Sequence, residues 1–218
     1  MFGWRLSPGT GYCEVDGELV FLDLSRDKYF ALRGNDRAAF ERLRVGEPND
    51  SEAMGRLVAT GLLARAQDGT DLSATSVDIP ARDLSERSEE RFSVAMAIAT
   101  AMSLRRARRA MRPERIAETI NDRRRRKAKL GVPGSDRAAT LIAARYAASR
   151  WINPVPPRCL IDALALDQIL LSRGLAVEMV FGVRLAPFGA HCWLQTPETI
   201  LTGTAAEARN FTPILVIG

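Results

Sequence analysis

Between Gly11 and Leu32 the apolar residues fall into three short runs separated by turn residues. Tyr12-Cys13-Glu14-Val15 stops at Asp16-Gly17, a dipeptide that favours a two-residue hairpin turn, and Leu19-Val20-Phe21-Leu22-Asp23-Leu24 follows. Lys28-Tyr29-Phe30-Ala31-Leu32 comes after a charged turn and predicts a third strand. The period then becomes helical. Asn35-Asp36 are expected to cap a helix through Leu43 with Ala38, Ala39, Phe40 and Leu43 near one face, and Asp50 or Ser51 to cap a second carrying Met54, Leu57, Val58 and Leu62. Residues 1–66 thus predict a compact module of sheet and helices.

Residues 67–90 turn polar and lose their period, which predicts a linker or a surface-draped strand around Val77-Asp78-Ile79-Pro80. Beyond it, Phe92 to Met111 and Pro113 to Leu130 predict two helices divided at Pro113, a residue suited to a first helical turn. Gly131-Val132-Pro133-Gly134 stops the second, and Ser135-Asp136 caps a third that includes Leu141, Ile142, Ala144 and Tyr146. The final section changes character again. Pro154-Val155-Pro156-Pro157-Arg158 reads as an extended approach to an apolar helix from Cys159 through Leu171, ended by Ser172-Arg173-Gly174. Strand-like runs follow at Val177 to Val183, Ala190 to Thr196, Thr199 to Thr202 and Pro213 to Ile217. Helix first and sheet after is the α+β order, so 91–218 is expected to form a second unit, helical over 91–151 with its chemistry in 152–218.

Composition narrows the function classes. With 46% hydrophobic and 26% charged residues the chain has the make-up of a folded protein. Phe2, Gly3, Trp4 and Arg5 run into a turn-like Ser7-Pro8-Gly9-Thr10 rather than a signal sequence, which predicts a cytoplasmic protein. The apolar stretch from Phe92 to Leu104 falls short of the roughly 20 residues that span a bilayer, so no membrane role is expected. Cys13, Cys159 and Cys192 lack CxxC spacing, and with a single histidine they make neither a disulfide framework nor a structural zinc site. No metal or cofactor is expected. The net charge of +5 conceals an asymmetry, because residues 105–129 carry twelve Lys or Arg against Glu114, Glu118 and Asp122. Such a run is either a solvated helix face or an attractor for nucleic acid or an acidic partner. Nucleic acid is disfavoured, since no aromatic or base-reading residues are interleaved with the charge.

Two residues stand out as chemistry. Cys159 opens a helix, where unpaired backbone N–H groups and the helix dipole favour thiolate. His191 is the one histidine in the chain and lies in Phe188-Gly189-Ala190-His191-Cys192-Trp193-Leu194-Gln195, where strand alternation sets His191, Trp193 and Gln195 on one face and Cys192 and Leu194 on the other. A thiolate with an imidazole partner attacks a carbonyl, forms an acyl-enzyme and releases it to water, which is peptide or amide cleavage. The backbone N–H of Cys159, the Trp193 indole N–H and the Gln195 amide are candidate oxyanion donors.

Residues 159 to 185, CLIDALALDQILLSRGLAVEMVFGVRL, then FGAHCWLQ and the closing FTPILVI, resemble the leader peptidases (B proteins) of lasso peptide biosynthesis, a transglutaminase-like family of cysteine proteases with a papain-like order of Cys and His. The run LVFLDLSRDKYFAL resembles the PqqD-like recognition element, similar to a winged helix, that is fused ahead of some of these enzymes. The resemblance implies a division of labour: the N-terminal module holds the leader of a precursor peptide, and the C-terminal unit cuts leader from core. It also implies a ring-closing, asparagine-synthetase-like cyclase as a working partner, whose acidic face the Arg-rich run would meet. Leader binding would fall on the third strand, Lys28, Tyr29, Phe30, Ala31 and Leu32, and on Met54, Leu57 and Val58 of the helix beside it, with about half of these turned into the core by strand alternation.

One departure from the family pattern matters. The orienting Asp expected after Ile200-Leu201 is replaced by Thr202-Gly203-Thr204, which puts Gly203 at the acid's position. Glu198, Glu207, Asp162, Asp167 and Asn210 are candidate substitutes, Gln195 is another candidate to orient the ring, and spacing singles out none of them. On that reading alone, Gly203→Asp would restore the acid and raise turnover. A leader-binding adaptor without peptidase activity, delivering the precursor to a partner enzyme, is the alternative function that the missing Asp suggests.

Overall fold

The computed structural model describes every residue except 1–2, 68, 85–92, 132–134, 151–152 and 154–155, with the backbone alone at 113–114. Phe92, the polar run 85–90, the helix stop at 132–134 and the Pro154-Val155 approach lie outside the described residues. The order is β1 (Gly3–Leu6), β2 (Thr10–Val15), β3 (Glu18–Asp23), β4 (Lys28–Leu32), α1 (Gly34–Arg44), α2 (Ser51–Ala59), β5 (Leu63–Ala66) and β6 (Arg82–Asp83). There follow α3 (Val94–Ala110), α4 (Pro113–Leu130), α5 (Asp136–Arg150), α6 (Cys159–Leu171), β7 (Glu178–Leu185), β8 (Phe188–Gln195), β9 (Thr199–Ile200), α7 (Ala205–Ala208) and β10 (Thr212–Ile217). The architecture is mixed α+β.

Strands β2, β3 and β4 form an antiparallel meander. Asp16 and Gly17, at φ of 50° and 74°, make the turn that their sequence predicts. Asp23 closes the next turn by accepting from the backbone N–H groups of Ser25 and Arg26. Helix α2 starts on Asp50, whose carboxylate accepts from Ala53 N at 2.7 Å. Helix α1 differs from expectation: it begins at Gly34, behind an Arg33 that makes no side-chain cap, so Asn35 and Asp36 lie inside it. Strands β1 and β5, which pair with one another, have no counterpart in the sequence reading.

The meander is buried on both faces, which is why Leu19 to Leu24 shows no polar alternation. On one face Tyr12, Leu19 and Phe21 pack with Phe40, Leu43, Leu57 and Leu62 of the α1–α2 side, and Phe40 meets both Tyr12 and Phe21 edge-on. On the other, Cys13, Val20, Leu22 and Leu24 join the core built around α6 and the large sheet. Gly11 permits this second contact, because a Cβ there would stand 2.1 Å from Ile214 O on β10. The segment after β5 reinforces it: Thr75 donates its amide to Tyr12 O at 3.1 Å and its hydroxyl to Ile214 O at 2.8 Å.

The large sheet runs β10-β7-β8-β9-β6, antiparallel apart from the β6–β9 pair. Helix α6 is apolar all round and nine of its residues are buried, so it forms the centre against which α3, α5 and β8 pack. Helix α4 starts with Pro113 and ends at Gly131 in the left-handed conformation, φ 69°. Two cations of its Arg-rich run, Arg123 and Lys127, turn into the protein. Lys127 Nζ lies 2.9 Å from the buried Asp167 carboxylate of α6 and donates to Val177 O at 2.6 Å and Ile217 O at 3.0 Å, while Arg123 Nε lies 3.5 Å from the same carboxylate. Burial pulls the Arg123 guanidinium below its ordinary pKa despite Asp167. Removing one member of a buried ion cluster leaves the rest uncompensated, so Asp167→Ala is expected to lower stability by about 3–5 kcal/mol. Urea denaturation measures this, and a loss under about 1 kcal/mol would mean that water reaches the charges.

Candidate active site

Cys159 is the first residue of α6 and is exposed. Arg158 ahead of it is extended, and the helix start is clasped by Asp162 one turn in. The Asp162 carboxylate accepts from Arg158 N at 3.0 Å, from the Tyr146 hydroxyl at 2.8 Å and from the Arg150 guanidinium of α5. This is the reciprocal half of an N-terminal cap, and it fixes the direction from which the chain enters the helix. Burial and the Asp162 charge push the Tyr146 hydroxyl pKa up, so it stays a donor.

His191 lies on β8 opposite Gly182 of β7. Its ring stacks on Trp193, centroids 5.7 Å apart, and on Phe211, 5.1 Å apart. Gly182 makes that stack possible, since a Cβ there would come within 2.8 Å of both Trp193 and Phe211. Burial draws the imidazole below its ordinary pKa and the Glu207 carboxylate partly offsets this, so the ring is neutral near pH 7 and able to accept a proton. Cys159, His191, Gly203 and Glu207 line one cavity of about 500 Å³, together with Arg158 and Asp162. No hydrogen bond joins Cys159 to His191 among the described residues, and His191 Nε2 is buried without a partner. The cavity therefore presents a thiol at a helix start and a neutral imidazole braced by two aromatic rings.

The other candidates separate. Trp193 is fully buried and donates its indole N–H to Gln195 Oε1 at 2.8 Å, so that N–H does not face an acyl oxygen; its part here is to support the His191 ring. Gln195 is also buried, and it donates to Asp78 O and to Glu178 Oε2, each at 2.9 Å. Its amide ties the segment after β5 to the large sheet and does not enter the cavity. Leu32 and Leu57 belong to the N-terminal core, because strand and helix alternation turns them inward. Phe30 and Met54 pack against that core from its margin, while Lys28 and Val58 are exposed and Ala31 is half-buried. Tyr29 points the other way. Its ring meets Phe188 of β8 at 5.8 Å, and burial first, then the Cys192 and Cys159 charges, push its hydroxyl pKa up. The N-terminal sheet thus reaches β8, the strand that carries His191. Phe211 and Gly182 escaped the sequence reading; a glycine inside an apolar strand was the available signal for close packing.

A model of the transglutaminase-like superfamily matches residues 96–216, more than half of the chain and the whole stretch from Cys159 to Phe211. No curated protein and no solved structure matches the chain. Among the described residues no helix is long and apolar enough to cross a membrane.

The three thiols differ enough for a direct check. Cys13 and Cys192 are buried, with burial raising the first to about pKa 11 and the second well above its ordinary value, whereas Cys159 is exposed. Iodoacetamide on the native protein is expected to add one label, mapped by mass spectrometry to Cys159, and three after unfolding. Native labelling at Cys192 would contradict the packing of β8 against α6.

Proposed function

Because the chain belongs to the transglutaminase-like superfamily, we propose that it is a cysteine peptidase, and that its work is the leader cleavage of lasso peptide maturation. The observation that carries this reading is the shared cavity of Cys159 and His191, the chain's one histidine, with Tyr29 of the N-terminal sheet packed on Phe188 of the His191 strand. The Cys159 thiol gives its proton to His191 and attacks the carbonyl carbon of the scissile bond. The backbone N–H of Cys159, at the first turn of α6, is aligned by the helix to receive the developing oxyanion. Collapse of the tetrahedral species breaks the C–N bond as His191 returns the proton to the departing amine, and water then releases the acyl group from sulfur.

Recognition of the leader falls to the first unit, read here as a PqqD-like module. Strand β4 is the edge of the meander, so its outer main-chain groups are available to an added strand. Lys28 and Val58 are the exposed side chains of the proposed leader surface, and Tyr29 of the same strand as Lys28 packs on Phe188 of β8. A leader paired along β4 would carry its following core segment toward Cys159. Incubation with the precursor is expected to give leader and core as separate products, with Cys159→Ala and His191→Ala each abolishing cleavage while leader affinity is kept. Cleavage that survives Cys159→Ala would remove the peptidase reading, and tight leader binding by a wild-type chain that never cleaves would identify the adaptor instead.

The cyclase of such a pathway is the proposed partner of the Arg-rich run. Its exposed charges include Arg125, which stands 3.5 Å from Asp122, and Arg126, but not Arg123, which is buried against Asp167. Reversing Arg125 and Arg126 to Glu is expected to weaken co-purification with the cyclase without lowering thermal stability. An undiminished complex would move the partner to another face.

A further inference from the structure

Of the five candidate substitutes for the orienting acid, four are otherwise engaged. Asp167 is locked in the ion cluster with Lys127, Asp162 clasps the start of α6, Glu198 pairs with Arg82 at 2.8 Å, and Asn210 donates to Ala206 O at 3.1 Å. Glu207, on α7, remains. Its Oε1 lies 3.8 Å from His191 Nδ1, the one carboxylate at ion-pair distance from the ring among the described residues. Its other oxygen fills a gap left by a missing side chain. A Cβ at position 203 would stand 3.2 Å from Glu207 Oε2 and 3.6 Å from His191 Nε2.

Three further features hold this arrangement. Gly203 adopts φ 76°, a conformation that side chains other than Asn and Asp rarely take. Thr204 caps α7 by accepting from Glu207 N at 3.1 Å, which fixes the backbone of the acid itself. The Asp83 carboxylate of β6 accepts from Ala205 N at 2.8 Å and ties the start of α7 to the sheet edge. Two consecutive contacts thus anchor a turn of helix whose third residue faces the imidazole.

Resting on the reading of Cys159 and His191 as nucleophile and base, we infer that Glu207 is the positioning residue for His191, supplied from α7 in place of a strand acid, and that glycine at 203 is the space this substitution requires. Glu207 acts through the imidazole and touches no reacting atom. The same geometry reverses the sequence expectation for Gly203→Asp. With Glu207 in place, an aspartate at 203 would set a second carboxylate beside the first, crowding it and repelling it. With Glu207 removed, the aspartate has room beside Nε2.

A single histidine makes the test direct. In the untagged 218-residue chain the His191 ring gives one NMR titration, free of overlap and independent of peptidase activity. Glu207 raises the ring's affinity for its proton against the pull of burial, so Glu207→Gln is expected to lower the His191 pKa and Gly203→Asp/Glu207→Ala to raise it back. In Glu207→Gln kcat for precursor cleavage should fall at least about tenfold with KM little changed, a smaller loss than the roughly ten-thousandfold seen when a serine triad loses its acid. In Gly203→Asp/Glu207→Ala the His191 titration should return without the rate, because that aspartate stands at Nε2, the nitrogen that Glu207 on Nδ1 leaves open to the thiol's proton. The acid limb of kcat/KM should move with the ring, to lower pH in Glu207→Gln. The other ionisable groups lining the cavity, Cys159, Cys192, Tyr146, Arg150, Arg158 and Asp162, are unaltered in these variants. Gly203→Asp alone should be slower than wild type. A His191 titration unmoved by Glu207→Gln in a protein of unchanged melting temperature would overturn the inference whatever the enzyme does. A shifted titration in a chain that never cleaves would keep the pair and discard the peptidase reading.

Discussion

Burial of the β2–β3–β4 meander on both faces is the constraint on which the rest depends. A three-stranded sheet with one solvated face could ride on a flexible tether, and its edge would then have no fixed relation to a catalytic site. Here Val20, Leu22 and Leu24 belong to the core built around α6 and the large sheet, while Leu19 and Phe21, interleaved with them, belong to the core of the α1–α2 side. Fully burying a side chain of this size is worth about 1.5–3 kcal/mol, so lifting the meander from the large sheet would expose several such contributions at once. Strand β4 is held to β3 along its length, and Tyr29 inherits a fixed position against Phe188 of β8. A module of the leader-holding kind would then present its ligand at a set distance from the thiol, with the entropy of a tether already removed.

The same economy governs the charges of α4. A basic helix packed on an apolar sheet could have kept all its cations in water, yet Lys127 enters the core, donates to carbonyls at β7's approach and at the end of β10, and lies at ion-pair distance from Asp167 of α6. Replacing such a cluster by apolar residues is often neutral in stability, so its value lies in specificity: only one register of α4 against the sheet sets Lys127 and Arg123 on Asp167 together. Because Asp167 and Cys159 share α6, that register also helps to hold the helix that presents the thiol.

Much of this was legible in the residues, and the failures have physical causes. The Asp16-Gly17 turn, the Asp50 cap, Pro113 at a helix start and Gly131 at its end are local signals, and local signals survive whatever packs around them. The alternation of His191 and Trp193 against Cys192 and Leu194 was equally readable, since the period of a strand does not depend on its partners. What could not be read was long-range. Strands β1 and β5 are four residues each and pair across some sixty positions, with nothing local to announce them. Arg123 and Lys127 look like their solvated neighbours, and only their spacing of four hinted at a common face. Gln195 and Trp193 were offered as donors to a substrate because a strand pattern cannot tell which polar groups already have partners inside the fold.

Glu207 belongs to that last class and adds a point about how strongly such a site is coupled. Its carboxylate is half-exposed, at ion-pair rather than hydrogen-bond distance from a ring that is itself mostly buried. Solvent screens the exposed partner, so burial outweighs Glu207 and the imidazole stays below its ordinary pKa. Neutral imidazole is the form that accepts the thiol's proton. On the peptidase proposal, a peptide covering the cavity would displace the water around Glu207, the local dielectric would fall, and the same pair would attract more strongly. The imidazolium formed during attack would then be stabilised by a carboxylate that hardly stabilised it before binding. A helix-borne acid at the rim of the site, unlike one sealed beneath the histidine, would couple proton affinity to the presence of substrate, and a glycine beside it is what lets it reach the ring from there.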